Sequence, residues 1–323
     1  MARTRLYRGG ELVLEDFPVE DISAHLETEG ACVWLDYCAP SDTELATIVE
    51  EFQLHPLAVE DAVTQHQRPK VDRYDSHLFL SAYGVELDTE SGELRTSEVA
   101  VFITSNALIT VRKDEGVDIG TVVARWDDSK ELAGHGVAFL LWGLLDVIVD
   151  GHFEAVQALD TEVEALEDLL FDDTPRESSV QRRSFEFRKS LVLLRRVVLP
   201  MREVVNSLMR RDLQVLDAGM APYFQDVYDH VLRATEWTES LRDLVTTILE
   251  TNLTIQSNRM NLVMKKVTSW AAIIAVPTAI TGFYGQNVPY PGFATHWGFW
   301  FSTSVIVVLS VGLFWVFRRR EWL

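Results

Sequence analysis

The chain has 323 residues, room for about two domains of roughly 150 residues each, and a formal net charge of −20. The charge is uneven: residues 261–323 carry Lys265, Lys266, Arg318, Arg319 and Arg320 against Glu321 alone, or +4, which leaves −24 on residues 1–260. So acidic a body repels nucleic acid, excluding it as a partner, and attracts cations.

From the N-terminus, MARTRLYRGGELVLED offers no apolar segment of the kind a secretory signal needs. ACVWLDY (31–37) and HLFLSAYGVEL (77–87) read as strands, and SEVAVFITSNALITVRK (97–113) as a hairpin turning at Ser105-Asn106, since β-branched and aromatic residues crowd all three. TELATIVEEF (43–52) reads as a helix, and LHPLAVEDAV (54–63) starts another, with Pro56 suited to its first turn. Cys32 and Cys38 fit neither a disulfide framework nor a Cys-x-x-Cys metal knuckle and are expected as reduced, packed thiols.

From about His135 to Phe171 an apolar helical pattern runs through Phe139, Leu140, Leu144 and Ile148 and turns acidic from Asp160 to Asp168. DDTPRESS (172–179) breaks it, and a further helix is expected up to about Arg211. After AGMAP (218–222), the residues Ala234, Trp237, Leu241, Leu244, Ile248, Thr251, Ile255, Asn258 and Leu262 alternate steps of three and four, a heptad-like stripe. Neither Gly nor Pro interrupts it before Pro277, so one helix of about 60 residues is expected to run from the body into the apolar segment that follows.

No Lys, Arg, Asp or Glu occurs between Val267 and Phe317. Residues 267–283 and 298–317 are apolar runs of 17 and 20 residues, where a membrane-spanning helix needs about 20 and at least roughly 17. Trp297, Trp300 and Trp315 near their ends suit interfacial belts. Basic flanks stay on the cytoplasmic side, so Lys265-Lys266 and Arg318–Arg320 place both termini and the acidic body in the cytoplasm. Only the stretch around residues 284–297 is then external. The expected organisation is a cytosolic body over 1–220, a stalk helix over 221–266, a first span over 267–285, an external loop over 286–297, and a second span with basic tail over 298–323.

Asn261, Met264, Thr268, Ala271, Ala275, Thr278 and Gly282 share one face of the first span. Small and hydroxyl residues in such a row serve close helix contacts in membranes or line a pore. Two helices cannot enclose a watery path, so the pore reading requires several copies around an axis. Apart from His296 the hairpin has none of the charged or imidazole groups of a proton relay. No nucleotide-binding loop, His-x-x-Glu-His pattern or nucleophile elbow occurs. Passive passage, not pumping or enzyme chemistry, is the expectation.

YGQN (284–287), the second span after it and the ending RRREWL (318–323) resemble the two-span CorA-type magnesium/cobalt transport channels, whose signature here is Tyr-Gly-Met-Asn. The resemblance extends through LHPLAVEDAVTQHQRPKVDRYD (54–75), PMREVVNSL (200–208), PYFQDVYDH (222–230) and SNRMNLVMK (257–265). Gln286 departs from the family's Met, and the loop NVPYPGFATHWG lacks an acid often found after the signature. The resemblance implies an α/β/α cytosolic domain, a stalk helix continuing as the pore-lining span, and a funnel-shaped homopentamer in the cell (inner) membrane. It implies passive uptake of Mg2+, and of Co2+, with Mg2+ as transported and regulatory ion and no organic cofactor. The partners are then copies of the chain itself, the lipid bilayer and divalent cations.

The resemblance also implies residue roles. Gly285 carbonyls and Asn287 side-chain amides, with Gln286 between them and Tyr284 bracing from behind, would form an outer ring. That ring would meet a hydrated ion that gives up its waters reluctantly. Thr278 and Thr268 would line the path, and Asn261 with Met264 would form its narrow inner end, where a hydrophobic constriction can gate by dewetting. Asp61 and Asp226 would hold a divalent ion between neighbouring subunits, with Glu60 and Asp150 in a second site. Without the resemblance, Glu60 and Asp61 read as solvated residues near a helix start, where carboxylates complement the dipole. Two alternatives stand beside this reading: a Zn2+, Co2+ or Ni2+ transporter of the same fold, including a proton-coupled one, and a non-conducting membrane-anchored metal sensor.

Overall fold

A computed structural model describes residues 2–64, 67–170, 177–210, 218–286 and 289–323. Seven strands, β1 (Arg3–Arg8), β2 (Glu11–Glu15), β3 (Ala31–Cys38), β4 (Lys70–Arg73), β5 (Leu78–Asp88), β6 (Glu93–Ile103) and β7 (Ala107–Arg112), make one sheet in the order β2-β1-β3-β7-β6-β5-β4. β3 and β7 pair in parallel, and the other neighbours are antiparallel. The expected hairpin is present, with β6 and β7 flanking the turn at Ser105-Asn106.

Side chains alternate across this sheet, and both faces are covered. Phe79, Ala100, Phe102, Leu35 and Ile109 point into a layer made by α1 (Ile22–Leu26), α2 (Asp42–Phe52) and α3 (Pro56–Val63), which contribute Ile22, Ile48, Ala58 and Ala62. Leu80, Val99, Val101, Trp34 and Leu108 point the other way. There they meet α4 (Ile119–Asp128), α5 (Val137–Asp168), the end of α6 (Glu177–Leu208) and the start of α7 (Ala221–Tyr284). This is the α/β/α arrangement expected above. Burial on both faces explains why the central strands read as near-continuous apolar runs.

Local chemistry sets the helix ends. Ser41 accepts from the Glu44 amide while the Glu44 carboxylate accepts from the Ser41 amide, a capping box that starts α2. α3 begins with Pro56 in its first turn and His55 Nδ1 accepting from the Leu57 amide. α5 starts two residues later than expected, because Lys130–His135 forms a tighter 3-10 turn and Gly136 closes it at φ 60. The helix expected up to about Arg211 stops at Leu208.

A buried ion pair fixes the parallel seam. The Arg112 guanidinium reaches Asp36 twice, Nε at 3.0 Å and Nη2 at 2.7 Å. Thr110 Oγ1 donates to the same carboxylate at 2.7 Å and accepts from Trp34 Nε1 at 3.2 Å. A one-residue slip would turn these side chains to the opposite face, so the network specifies register. On α5, His152 is fully buried and its Nε2 donates to the Tyr83 carbonyl of β5 at 2.7 Å. Burial disfavours the charged ring and lowers its pKa to about 4.

The chain divides into two compact units, Met1–Ile248 and Leu249–Leu323. In the first, α5, α6 and α7 share a second core around Val156, Leu159, Leu191, Leu194, Ala234 and Leu241, which also takes in Leu94 of β6. The heptad-like stripe is buried at Ala234, Leu241 and Ile248 and exposed at Asn258 and Leu262. The second unit holds the rest of α7 and α8 (His296–Arg319). Val267, Ile274 and Phe283 on α7 and Trp300, Val308 and Trp315 on α8 are each more than half exposed. A long α7 matches the expected helix of about 60 residues: it has 64 and runs through Pro277.

Two stability predictions arise here. Arg112→Ala strands a buried carboxylate and is expected to cost about 3–5 kcal/mol, whereas the paired change Asp36→Leu with Arg112→Met restores most of that loss. Denaturation midpoints of the detergent-solubilised protein report both, and an unaffected Arg112→Ala midpoint overturns this role. For His152, the unfolded ring holds a proton near pH 6.5 and the folded ring does not until about pH 4. Stability present above pH 6.5 is therefore lost as pH falls toward 4, by about 3 kcal/mol. His152→Gln keeps a donor but cannot titrate, so its Tm should fall less than wild type's between pH 7 and 4.5; parallel falls would refute the assignment.

Candidate functional site

Asn261, Met264, Thr268, Ala271, Ala275, Thr278 and Gly282 are all exposed on α7. Ser269, Ala272, Ile273, Val276, Pro277 and Ile280 are buried or half-buried. The uncharged small-residue stripe is thus a separate face from the packed one. Trp270 meets Phe314 of α8 with ring centroids 6.4 Å apart. Thr278 donates to the Ile274 carbonyl at 2.9 Å, and Thr281 to the Pro277 carbonyl at 2.8 Å. These bonds satisfy each hydroxyl proton within the helix and leave its lone pairs available to other donors. Asn261, Met264 and Thr268 line one groove together with Trp322.

The signature stretch begins where α7 ends. The Gly285 amide donates to the Thr281 carbonyl at 2.8 Å and the Gln286 amide to the Phe283 carbonyl at 3.3 Å, which tightens the last turn. A Cβ on Gly285 would lie 2.9 Å from that Thr281 oxygen, so this close approach needs glycine. Tyr290 Oη donates to the Tyr284 carbonyl at 2.9 Å, and the two rings meet edge-on with centroids 4.9 Å apart. Phe293 packs edge-on to Tyr290 in turn, at 5.3 Å. Asn287 lies outside the described residues. The carbonyls of a helix C-terminus are its negative end, and they favour a cation there.

The acidic residues fall in two places. Asp61 and Glu60 are on α3, but in its second turn rather than its first, because the helix spans only Pro56–Val63. The helix dipole therefore disfavours their charge, contrary to the reading as helix-start carboxylates. Lys70 at the start of β4 compensates: its Nζ is 2.6 Å from Asp61 Oδ2 and 2.8 Å from Asp72 Oδ2. Burial opposes the Lys70 charge, yet these two bonds outweigh it and raise the ammonium's pKa. Glu60 is exposed beside them.

Asp226, exposed on the first turns of α7, makes no ion pair among the described residues. Asp150 on α5 is held by Arg125 Nη2 at 2.8 Å and by His230 Nδ1 at 3.5 Å. The Arg125 Nε also reaches Asp146 at 3.0 Å. Burial, aided by the charges of Asp150 and Asp226 and opposed by Arg125 and His230, pushes the Asp146 carboxyl up to about 6. α3 packs on one face of the sheet and the start of α7 on the other. One chain therefore does not join Asp61 to Asp226. Among the described residues, no three His, Cys, Asp or Glu side chains of one chain converge as a metal-binding group.

Lys70, Arg125 and Tyr290 were not singled out from the sequence. Lys70 was open to detection, since KVD at 70–72 places a base beside an acid just after the segment carrying Asp61. Arg125 meets Asp150 only through packing of α4 on α5, and no spacing rule reveals that.

Comparison with known proteins bears on the whole chain. A family model described as CorA-like Mg2+ transporter protein matches residues 29–319. The cobalt/magnesium transport protein CorA of Thermotoga maritima is 31% identical over 293 residues, covering 90% of this chain and 83% of that one. The putative metal ion transporter YfjQ of Bacillus subtilis is 28% identical over 313 residues, covering 96% and 95%. In fold, the chain is similar to the complete CorA magnesium transporter from Methanocaldococcus jannaschii, with a TM-score of 0.80 at 23% identity over 100% of this chain and 99% of that one. Such a match, running from the third strand through the last helix, sets the protein among membrane transporters rather than enzymes. The chain belongs to the CorA-like Mg2+ transporter family.

Proposed function

We propose that the protein is a passive channel for divalent cations that takes up Mg2+, and also Co2+, across the cell (inner) membrane as a homopentamer with both termini in the cytoplasm. The observation that carries this reading is the exposed, uncharged stripe from Asn261 to Gly282 leading to YGQN at a helix C-terminus, in a chain of this family. The Thermotoga relative's name, a cobalt/magnesium transport protein, supports the choice of ions. Self-association is supported by the heptad-like stripe, which leaves its own core after Ile248 while its pattern continues to Leu262.

In the pentamer, Met264 and Asn261 form the narrow inner end, Thr268 and Thr278 line the path, and Gly285, Gln286 and Asn287 face the outer mouth with Tyr284 behind. Neutral oxygens attract a hydrated divalent ion without holding it too tightly to leave. Asp61 of one subunit and Asp226 of its neighbour bind Mg2+ in the cytoplasm, with Glu60 and Asp150 contributing a second site. Hard carboxylate oxygens fit a hard divalent ion. Carboxylates about 4 Å apart repel by roughly 4 kcal/mol at an effective dielectric near 20, and a bound ion removes that repulsion. Five interfaces let modest binding at each bias one closed state, so falling internal Mg2+ opens the pore.

Purified protein in liposomes should take up Mg2+ without a pH gradient, and Asn287→Ala or Asn287→Asp should abolish uptake while assembly persists. Normal flux in those variants, or a preference for Zn2+ with proton dependence, overturns the pore assignment. Protease digestion tests the sensor. Wild type should be protected only when Mg2+ is present, and Asp226→Lys should be protected without it. Equal cleavage of wild type in both conditions removes Asp61 and Asp226 from that role.

A further inference from the structure

Asp61 already carries a cation supplied by its own chain. Lys70 Nζ is bonded to Asp61 at 2.6 Å and to Asp72 at 2.8 Å. These three side chains, Glu60 and Tyr74 line one open depression. Lys70 is one-quarter exposed and Asp61 nearly as much, so the pair is reachable from solvent.

We propose that Lys70 is a tethered competitor for the divalent ion at Asp61, which must leave that carboxylate before a metal can bind and so sets the Mg2+ concentration at which the site fills. The proposal rests on the assignment of Asp61 as a regulatory ligand. Its physical basis is the second bond. An ammonium on a flexible four-carbon stem is a compact point charge that can turn from one acceptor to another. Asp72 keeps it paired after Asp61 is surrendered, so the exchange never strands a cation. The switch is then an exchange of one cation for another. In the metal-free state Asp61 is already neutralised in part, and its repulsion of the neighbouring Asp226 is weaker than for two bare carboxylates.

The sign of one substitution separates this role from a structural one. If Lys70 merely fastens α3 to β4, removing it loosens Asp61 and metal binding weakens. If Lys70 competes, removing it tightens binding. Mn2+ binding to the detergent-solubilised full-length protein, read from the loss of the free-ion EPR signal, measures this directly. Lys70→Met should bind Mn2+ about tenfold more tightly than wild type, equivalent to ~1.4 kcal/mol. Asp61→Asn should cancel the gain, and Lys70→Arg should leave affinity within about twofold of wild type. Asp72→Asn should weaken binding when Lys70 is present, because the displaced ammonium then loses the charge of its second carboxylate. In the Lys70→Met background it should change affinity much less, a non-additivity that uniform charge effects do not produce. Equal or weaker binding in Lys70→Met overturns the proposal. Wild-type binding that is indifferent to Asp61→Asn, with Lys70→Met still tightened through Asp61, leaves Lys70 as a competitor and instead removes Asp61 from the regulatory site of the native protein.

Discussion

A polypeptide in hydrocarbon has no water to satisfy its amides, so it must bond every one of them internally. That constraint governs residues 267–317. Both apolar runs are helical, and no charge interrupts them. The one helix breaker, Pro277, lacks an amide and so leaves the Ile273 carbonyl without its usual donor inside the bilayer. From Val267 onward the polar side chains of α7 are hydroxyls and the Tyr284 phenol, and Ser269, Thr278 and Thr281 donate back to their own helix. An ion on the proposed path along that face would meet neutral oxygens, so the proposed control by charge falls to the acidic first unit.

The first unit combines two kinds of ion pair. Its sheet is locked internally by a buried, doubly bonded pair at Asp36 and Arg112, while the acids proposed to bind metal are half-buried or exposed. Asp226 is exposed near the start of α7, and Asp61 is held by a lysine that also has Asp72. The rigid and the adjustable ion pairs differ in burial: Asp36 is 2% exposed, and Asp61 is 23% exposed. Low dielectric makes the first pair costly to disturb, and water keeps the second exchangeable.

Much of this was legible beforehand. The strands read at 31–37, 77–87 and 97–113 stand out as β-branched and aromatic runs, though β6 begins earlier, at Glu93, where its residues turn exposed, and α7 stands out because nothing breaks it for over forty residues. The local sequence does not announce the short α1, nor β1, β2, β4 and α4. RTRLYR and KVDR are dense in charge, ELVLE is an edge strand exposed along its length, and IGTVVARWDD mixes β-branched residues into a helix. Burial decides β1 and α4, and pairing with a neighbouring strand decides β2 and β4. In the site, the stripe and the glycine of the signature follow from spacing and backbone chemistry. The cations held by Asp61 and Asp150 do not, because each contact joins elements brought together by packing.

The parallel seam has a consequence for biosynthesis. β3 pairs with β7, so residues 33–38 wait for residues 107–112 before the centre of the sheet can close. Contacts so distant in sequence form slowly, and chains emerge N-terminus first at about 5–20 residues per second. For several seconds the nascent chain therefore presents a strongly apolar β3 paired on one edge alone, with β1. The apolar hairpin is made last, after every strand of the sheet has been synthesised. Synthesis order thus lets the sheet-bearing body assemble before the apolar hairpin appears.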